Sequence, residues 1–328
     1  MGGLVNGQWQ PGDLRTTGAD GSFQRTSSTF RRWVTADGSS GFKAEPGRYH
    51  LYVSRACPWA HRTIIFRQLL GLDGVISLSG MQPVYVDEGW VLDGSGPVAG
   101  AARLYEVYQR ADPNFSGRVT VPVLWDRETG TIVNNESSEI IRMLSGEFAS
   151  LALRPFDFYP AALRAEIDRV NERIYETVNN GVYRAGFATG QPAYEAAANA
   201  LFDSLDWLEG LLGARPFVAG GQITEADWRL FTTLVRFDSV YYGHFKCNRR
   251  HVYEYPNLWG LTRQLYQWPG VAATVDLAHI KQHYYGSQRS INPSGIVPVG
   301  PTLDLSAPHG RDLLVPGESD YRATDLDY

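Results

Sequence analysis

The sequence predicts a chain of two structural parts, an α/β domain followed by an all-helical domain. Up to about residue 150, short runs with strand character alternate with helical patterns, which is typical of an α/β domain. From about residue 155, long amphipathic stretches with almost no strand character indicate a helical bundle. We therefore expect an extended arm over residues 1–45, an α/β domain over 46–150 and a helical domain over 155–328.

Composition and charge exclude several classes of partner. The 328 residues, 43% hydrophobic and 20% charged, are ordinary for a globular protein of one large or two medium domains. A net charge of −5 offers no attraction to nucleic acid or anionic membranes. We find no signal-peptide pattern and no run of the ~20 apolar residues that a membrane span needs. Two cysteines cannot form a disulfide framework, so we expect a reducing, cytoplasmic location.

The first elements follow a polar arm. Rich in Gly, Ser and Thr, the first forty-odd residues predict an extended segment with little regular structure. The segment "RYHLYVS" then predicts a strand, with alternate apolar side chains on one face. Pro58 suits the first turn of the following helix, and Gly71 ends its apolar pattern.

The α/β part continues with strands around turns. "VISLS" predicts a second strand, and about forty loop-rich residues follow it. Two further strands, "TVPVLWD" and "TIVNN", flank a turn, and "SSEIIRML" opens another helix.

The second half of the chain predicts helices and a folded tail. Four amphipathic stretches share the helical pattern: residues 159–183, 193–212, 224–242 and 255–285. In the third, Thr224 and Asp227 have capping-box spacing, so we interpret Asp227 as structural. The tail from residue 286 is punctuated by Pro and Gly but rich in Ile, Val and Leu, and we expect it to wrap the helical domain.

Cys57, in "SRACPWAHR", stands where a strand leads into a helix. At a helix N-terminus the free N–H groups and the dipole favour a thiolate. Thiols so placed have pKa values of ~3.5–7.5 instead of ~8.5. Arg55 and His61 could add positive potential, although either could equally point into solvent. Ala60 replaces the second cysteine of a C-x-x-C motif, so this sulfur needs an external thiol to resolve a disulfide.

Pro122 lies inside a segment that otherwise predicts a strand, where a missing N–H is normally disfavoured. A cis peptide between Val121 and Pro122 explains the position and leaves the backbone of Val121 available to pair with a peptide-like ligand. The order strand, Cys-Pro helix, strand, Val-Pro strand, strand, helix is that of a thioredoxin-like domain. There the cis proline faces the active-site sulfur.

The chain resembles the glutathione transferase superfamily and, within it, the xi class, the glutathionyl-hydroquinone reductases. The resemblance covers roughly residues 40–310. The motifs that carry it are "SRACPWAHR", "TVPVLWD", "NNESSEIIRML", "NNGVYRAGFATGQ", "FDSVYYGHFKCN", "HYYGSQRSINPSGIVPVGP" and "PHGRD". Ordinary glutathione transferases lack the last four. The resemblance implies the glutathione transferase fold, glutathione as co-substrate and a homodimer.

The resemblance also implies site residues. Cys57 matches the catalytic nucleophile. The residues matching the glutathione site are Trp90, Arg118, Val121, Pro122, Glu136 and Ser137. At the start of a helix, Ser137 can hold a carboxylate and Glu136 can pair with an ammonium, although the pair can equally be an ordinary N-cap.

Three tyrosines match the aromatic-substrate site of the family: Tyr183, Tyr241 and Tyr284. A phenol hydroxyl can donate to a quinone oxygen while its ring stacks on the ligand. Packing between helices is the alternative for all three. The adjacent Tyr242 and Tyr285 also leave open which hydroxyl of each pair faces the site.

Other histidines and cysteines carry no comparable prediction. His244, Cys247 and His251 have a metal-like look, and His279 and His283 stand four residues apart, but zinc sites need four tight ligands at tested spacing. We expect no metal here.

The resemblance implies glutathione-dependent reduction of glutathionyl-hydroquinones. Two alternatives stay open: an omega-like cysteine transferase that reduces dehydroascorbate or mixed disulfides, and a non-catalytic binding protein with the same fold. A reactive cysteine at a helix start argues against the second. The tyrosines favour an aromatic substrate over ascorbate.

Overall fold

The computed structural model describes residues 2–12, 16–85, 87–311 and 314. Its contacts divide the chain into two compact units. The first unit comprises Met1–Gly18, Phe23–Pro155 and Asp276–Pro298, and the second Ala19–Ser22, Phe156–Val275 and Val299–Tyr328. The α/β character of the N-terminal part and the helical character of the C-terminal part are confirmed. The boundaries of the arm and the two domains stay predictions.

Within the part of the chain that the structure describes, the strands all belong to the first unit. They are β1 (Gly3–Val5), β2 (Gln8–Gln10), β3 (Thr16–Thr17), β4 (Phe23–Gln24), β5 (Tyr49–Tyr52), β6 (Ser77–Ser79), β7 (Gly117–Arg118), β8 (Val123–Asp126) and β9 (Thr131–Asn134). The main sheet has the order β6-β5-β8-β9. Strands β5 and β6 are parallel, and the other two pairs are antiparallel. Every residue of β5 is buried, as expected for a central strand of a sheet that is covered on both faces.

Among its described residues, the first unit contains four α-helices: α1 (Pro58–Leu69), α2 (Leu104–Ala111), α3 (Ser137–Gly146) and α10 (Leu277–Ser287). Helix α1 begins directly after Cys57, with Pro58 in its first turn. Its C-terminal end follows from Gly71, whose φ of +63° is a left-handed conformation that favours glycine. The predicted beginning and end of this helix are confirmed.

Two segments of the first unit contain more regular structure than the sequence predicted. The loop-rich stretch contains α2, whose buried Leu104, Val107 and Tyr108 recur at helical spacing. The arm contains the hairpin β1–β2, closed by Asn6 and Gly7 at φ of +48° and +72°. Asn-Gly is a strong hairpin signal because both residues tolerate positive φ.

The second unit is built from helices. They are α4 (Arg164–Ile174), α5 (Gly181–Gly186), α6 (Gln191–Ala214), α7 (Glu225–Arg236), α8 (Tyr242–His244) and α9 (Pro256–Tyr266). Two π-helical segments, Tyr175–Asn179 and Phe237–Tyr241, join α4 to α5 and α7 to α8. The last predicted stretch, 255–285, is divided into α9 and α10. No helix in the described ranges has both the length and the apolar character that spanning a bilayer requires.

Part of the C-terminal tail packs on the second unit. Gln267 of α9 donates to the carbonyls of Leu305 and Ala307 at 2.8 and 2.7 Å. The buried Arg311 donates to the Pro216 carbonyl at 2.8 Å and to the Gln264 side chain at 3.2 Å. These bonds hold residues 305–311 against α9 and the end of α6. Most of the predicted tail after Arg311 lies outside the described residues.

Asp227 anchors the start of α7, as predicted. Its carboxylate accepts from the Val218 N–H at 2.8 Å and from the N–H and hydroxyl of Thr224 at 2.9 and 3.1 Å. Burial raises the pKa of Asp227 to about 6, while these hydrogen bonds favour the carboxylate. The side chain is therefore mostly ionised at neutral pH and serves as a buried cap.

We predict that Asp227→Ala lowers the free energy of unfolding by about 3 kcal/mol, because it leaves buried N–H groups without an acceptor. Urea unfolding followed by circular dichroism measures the change. Asp203→Ala, at an exposed position of α6, is the control and should change stability by less than about 0.5 kcal/mol. Equal losses for the two variants would contradict the capping role.

Candidate active site

Cys57 is the N-cap residue of α1, with extended backbone angles of φ −76° and ψ 121°. Its carbonyl accepts the first helical hydrogen bond, from the His61 N–H at 2.9 Å. The thiol is half-buried, and its Sγ lies 3.6 Å from the carbonyl oxygen of Val121. The predicted position of this sulfur at a helix N-terminus is confirmed. Of the two nearby basic residues, Arg55 is exposed and His61 is buried.

The Val121–Pro122 peptide bond is cis, as predicted. Val121 lies just before β8 and is buried. Its backbone carbonyl faces the Cys57 thiol. The sequence predicted a free backbone at this position, but the Val121 carbonyl accepts from the thiol. A thiolate has no proton to donate, so ionisation of Cys57 would release this carbonyl for a ligand.

Glu136 and Ser137 lie at the junction of β9 and α3. Glu136 is the N-cap of α3, and its Oε1 accepts from the N–H of Ser138 at 3.2 Å and from its hydroxyl at 3.0 Å. Ser137, the first helical residue, is buried and accepts from Nη1 of Arg62 at 3.4 Å. Because Arg62 donates to it, the Ser137 hydroxyl proton can point toward a ligand.

Trp90 is 6% exposed and stacks on His283 of α10, with ring centroids 4.9 Å apart and planes 10° apart. Tyr85 contacts both rings at 4.8 and 5.2 Å. The Nδ1 atom of His283 lies 2.9 Å from the Pro83 carbonyl oxygen, which fixes the ring. Helix α10 therefore holds the indole in place.

Arg118 belongs to β7, which pairs with β1 of the N-terminal hairpin. The two residues that face each other in this register are Gly3 and Arg118. Arg118 is half-buried.

In the second unit, Tyr183 and Tyr241 lie together. Their ring centroids are 6.0 Å apart, and each is 5.4 Å from the ring of Phe245. Both follow or end a π-helical segment, a feature common at functional sites. Tyr242 instead stacks on His251 at 3.5 Å, so Tyr241 is the member of its pair that faces Tyr183.

Tyr284 is on α10 of the first unit and is 1% exposed. Its ring lies 5.4 Å from that of His283, the residue stacked on Trp90. Tyr285 is half-buried, and its carbonyl accepts from the Asn292 side chain at 2.9 Å. Tyr284 is therefore the more buried member of its pair, and it contacts the Trp90 cluster through His283.

Two residues near these groups carried no prediction of this kind. Arg62 is only 1% exposed. A charged side chain within the apolar pattern of a helix is unusual, and this is the feature of the sequence that could have indicated a role for Arg62. His283 was considered only as a metal ligand. Its stacking on Trp90 joins positions far apart in the chain, which no local pattern indicates.

The other histidines and cysteine have structural surroundings. Cys247 is fully buried, and burial raises the pKa of its thiol. The His251 ring stacks on the rings of Tyr242 and Tyr253, with centroid distances of 3.5 and 4.5 Å. Its Nδ1 lies 3.3 Å from Oδ1 of Asp238. Within the part of the chain that the structure describes, no group of three or more His, Cys, Asp or Glu could hold a metal ion.

Comparison with protein families gives two matches. The model of the glutathione S-transferase N-terminal domain matches residues 56–146. The model of the glutathione S-transferase C-terminal domain matches residues 191–263. The first match begins one residue before Cys57 and ends with α3, so it contains most of the candidate site.

Known proteins similar to this chain cover nearly all of it. Glutathionyl-hydroquinone reductase YqjG of Escherichia coli (strain K12) is 51% identical over 325 residues, covering 95% of this chain and 99% of that protein. Glutathionyl-hydroquinone reductase PcpF of Sphingobium chlorophenolicum is 52% identical over 310 residues, covering 93% and 98%.

Solved structures agree with this similarity. The glutathione-bound structure of YqjG superposes with a TM-score of 0.87 at 49% identity, covering 95% of this chain and 99% of that one. A xi class transferase from Natrialba magadii gives 0.91 at 48% identity, covering 96% and 98%. The chain belongs to the glutathione S-transferase family and, within it, to the xi class of glutathionyl-hydroquinone reductases. The predicted family and fold are confirmed.

The surroundings of the two cysteines predict different reactivity. Cys57 is half-buried at a helix N-terminus, whereas Cys247 is fully buried with a raised pKa. Iodoacetamide should therefore label one thiol of the native protein, at Cys57, and both after denaturation. Mass spectrometry of digested wild type, Cys57→Ser and Cys247→Ser checks this assignment. Labelling of native Cys57→Ser at the wild-type rate would contradict it.

Proposed function

We propose that this protein reduces glutathionyl-hydroquinones to hydroquinones with glutathione as co-substrate. The observation that carries the proposal is Cys57, a half-buried thiol at the N-terminus of α1 beside the cis Val121–Pro122 peptide. Membership of the family of glutathionyl-hydroquinone reductases supports this substrate class.

The reaction needs two exchanges at one sulfur. The Cys57 thiolate attacks the sulfur of the glutathionyl group, and the bond between that sulfur and the aromatic carbon breaks. The aromatic carbon takes a proton, which yields hydroquinone, and a Cys57–glutathione disulfide forms. A second glutathione thiolate attacks this disulfide, giving oxidised glutathione and free Cys57. Two glutathione sulfurs are thus oxidised while the ring carbon is reduced.

The residues around Cys57 have separate tasks in binding glutathione. Val121, before cis Pro122, pairs with the cysteinyl backbone through the carbonyl that a thiolate releases. Ser137 and the N-terminus of α3 hold the γ-glutamyl carboxylate, and Glu136 pairs with the ammonium. Trp90, held by His283, lines the site.

Arg118 binds the glycine carboxylate of glutathione in this proposal. Its guanidinium is the type of group that pairs with a carboxylate through two parallel hydrogen bonds. Together these contacts orient the glutathionyl sulfur for attack, and orientation of reacting groups lowers the barrier substantially.

Tyr183, Tyr241 and Tyr284 bind the aromatic ring and supply its proton. A buried phenol can donate to the oxygens of the hydroquinone and can act as a general acid toward the ring carbon. The contact of Tyr183 with Tyr241, 6.0 Å between centroids, makes an aromatic surface suited to a flat ring.

Preference for a glutathionyl-hydroquinone distinguishes this proposal from other transferase activities. Rates with a glutathionyl-hydroquinone, dehydroascorbate and chlorodinitrobenzene, measured side by side, should be highest with the first. High activity with chlorodinitrobenzene alone would indicate a conjugating enzyme, and high activity with dehydroascorbate an omega-like one.

We also infer a reducing, cytoplasmic location and a homodimer. Both cysteines are free thiols, and the reaction consumes reduced glutathione, which supports such a compartment. The homodimer follows from the resemblance to the family. Light scattering of the purified protein measures its mass against 36.5 kDa for one chain.

We predict that Cys57→Ser lowers kcat roughly 10³-fold or more, because the hydroxyl is a far weaker nucleophile. Cys57→Ala should keep its affinity for glutathione, measured by calorimetry, since the peptide contacts remain. Cys247→Ser is the control and should stay within about twofold of wild type, because its fully buried thiol, with a raised pKa, is not available as a nucleophile. A Cys57→Ser variant with most of the wild-type rate would contradict the mechanism.

We predict that Tyr241→Phe and Tyr284→Phe each lower kcat about tenfold or more, because each loses a hydroxyl donor while keeping its ring. Their neighbours provide matched controls: Tyr242→Phe and Tyr285→Phe should have near wild-type rates. Steady-state kinetics with a glutathionyl-hydroquinone measures all four. Larger losses in the two controls would reverse the assignment of each pair.

A further inference from the structure

The N-terminal arm is docked along the edge of the main sheet. The Arg32 N–H donates to the Val133 carbonyl at 3.0 Å, and the Asn135 N–H donates to the Phe30 carbonyl at 3.0 Å. Between these two hydrogen bonds, Arg31 forms an antiparallel β-bridge with Asn134. Residues 30–32 thus continue the sheet beyond β9. This edge leads directly into Glu136 and Ser137.

Side-chain bonds strengthen the docking. Arg31 forms an ion pair with Glu139 in the first turn of α3. The Asn135 side chain accepts from the Phe30 N–H at 3.1 Å. Further along, the Trp33 indole and the Ala36 N–H both donate to the Glu147 carboxylate, at 3.1 and 2.9 Å. These bonds therefore hold the arm against both the first turn and the C-terminal end of α3.

Ser28 of the arm touches the candidate ammonium-binding residue. Its hydroxyl lies 3.0 Å from Oε2 of Glu136 and 3.3 Å from the Asn135 carbonyl oxygen. The other carboxylate oxygen, Oε1, is held by the N–H and hydroxyl of Ser138. Both oxygens of Glu136 are thus restrained, one of them by the arm.

Arg25 of the arm brings a positive charge to the same region. Its guanidinium carbon lies 4.7 Å from the ring centroid of Trp59, two residues after Cys57. Arg62 lies 4.6 Å from the same centroid and also donates to Ser137. Two guanidinium groups therefore share one indole, and the second is bonded to the residue that begins α3.

We propose that the arm completes the γ-glutamyl part of the glutathione site. In this arrangement Ser28 is a positioning residue for the Glu136 carboxylate, and Arg25 adds positive charge for the α-carboxylate of the ligand. The inference rests on the proposed function and deepens it, since it assigns ligand recognition to a segment outside the α/β domain predicted over residues 46–150.

The chemistry of the ligand explains the arrangement. The γ-glutamyl end of glutathione is an amino-acid zwitterion, with an ammonium and a carboxylate on one carbon. A carboxylate held in one rotamer binds an ammonium without losing further side-chain freedom. Guanidinium groups near the start of α3 add to its positive dipole end, which attracts the carboxylate.

Ser28→Ala tests the positioning role, with Ser27→Ala as a matched control. Ser27 is the adjacent serine and is exposed. Loss of a hydrogen bond to a charged group predicts about tenfold weaker binding. KM for the glutathionyl-hydroquinone, whose γ-glutamyl group enters the site, should rise about tenfold in Ser28→Ala, with kcat within about twofold of wild type. Ser27→Ala should match wild type in both parameters.

A conjugate without the γ-glutamyl group separates recognition from general damage to the fold. With a cysteinylglycine conjugate of the hydroquinone in place of the glutathionyl-hydroquinone, kcat/KM should be the same for Ser28→Ala and wild type. Arg25→Gln should likewise raise KM for the glutathionyl-hydroquinone, and its effect should shrink at high salt, as expected for a charge contribution. Equal losses with both conjugates, or equal values for the two serine variants, would overturn the inference.

Calorimetry with glutathione on the Cys57→Ala background distinguishes this inference from the proposed function. Binding by Cys57→Ala, weakened about tenfold when Ser28→Ala is added, supports both. Binding that is unaffected by Ser28→Ala overturns the role of the arm and leaves the proposed function standing. If Cys57→Ala and wild type both fail to bind glutathione, the proposed function and the inference fail together.

Discussion

The approach of the Cys57 sulfur to the Val121 carbonyl, 3.6 Å, is the constraint on which the candidate site depends. It follows from strand pairing. In the register of β5 and β8, Tyr52 faces Val123, so the chain leaving β5 and the chain entering β8 lie side by side. The first leads to the helix N-terminus that carries the thiol, and the second to the cis peptide. A register shift would separate the sulfur from the backbone that is proposed to bind the peptide.

Much of this arrangement is predictable because its signals are local. Pro58 after a strand indicates a helix start, Gly71 indicates its end, and Pro122 within a strand pattern indicates an exceptional peptide bond. The spacing of Thr224 and Asp227 likewise predicts the buried cap of α7. Each of these features depends on the backbone preferences of one or two residues, and tertiary contacts reinforce those preferences.

The rest depends on partners that no local pattern contains. The arm is polar and lacks periodicity, yet it is ordered by hydrogen bonds to residues about one hundred positions away, as between Phe30 and Asn135. His283 meets Trp90 across an even longer separation. The resemblance favoured Tyr241 and Tyr284, but the sequence left open which hydroxyl of each pair, 241/242 and 284/285, faces the site. Their ring contacts distinguish them, because only the folded chain determines which side of a helix turn meets another ring.

The sequence allows two interpretations of Glu136 and Ser137, an ordinary N-cap or a ligand site. The structure indicates that the two interpretations are compatible. An ionised carboxylate can accept about four hydrogen bonds. Among the contacts of the described residues, Glu136 accepts from the Ser138 N–H, the Ser138 hydroxyl and the Ser28 hydroxyl. That leaves room for about one more donor, such as an ammonium. Capping restrains the carboxylate, and a restrained carboxylate is better prepared to bind, so the helix cap and the arm serve recognition through their structural roles.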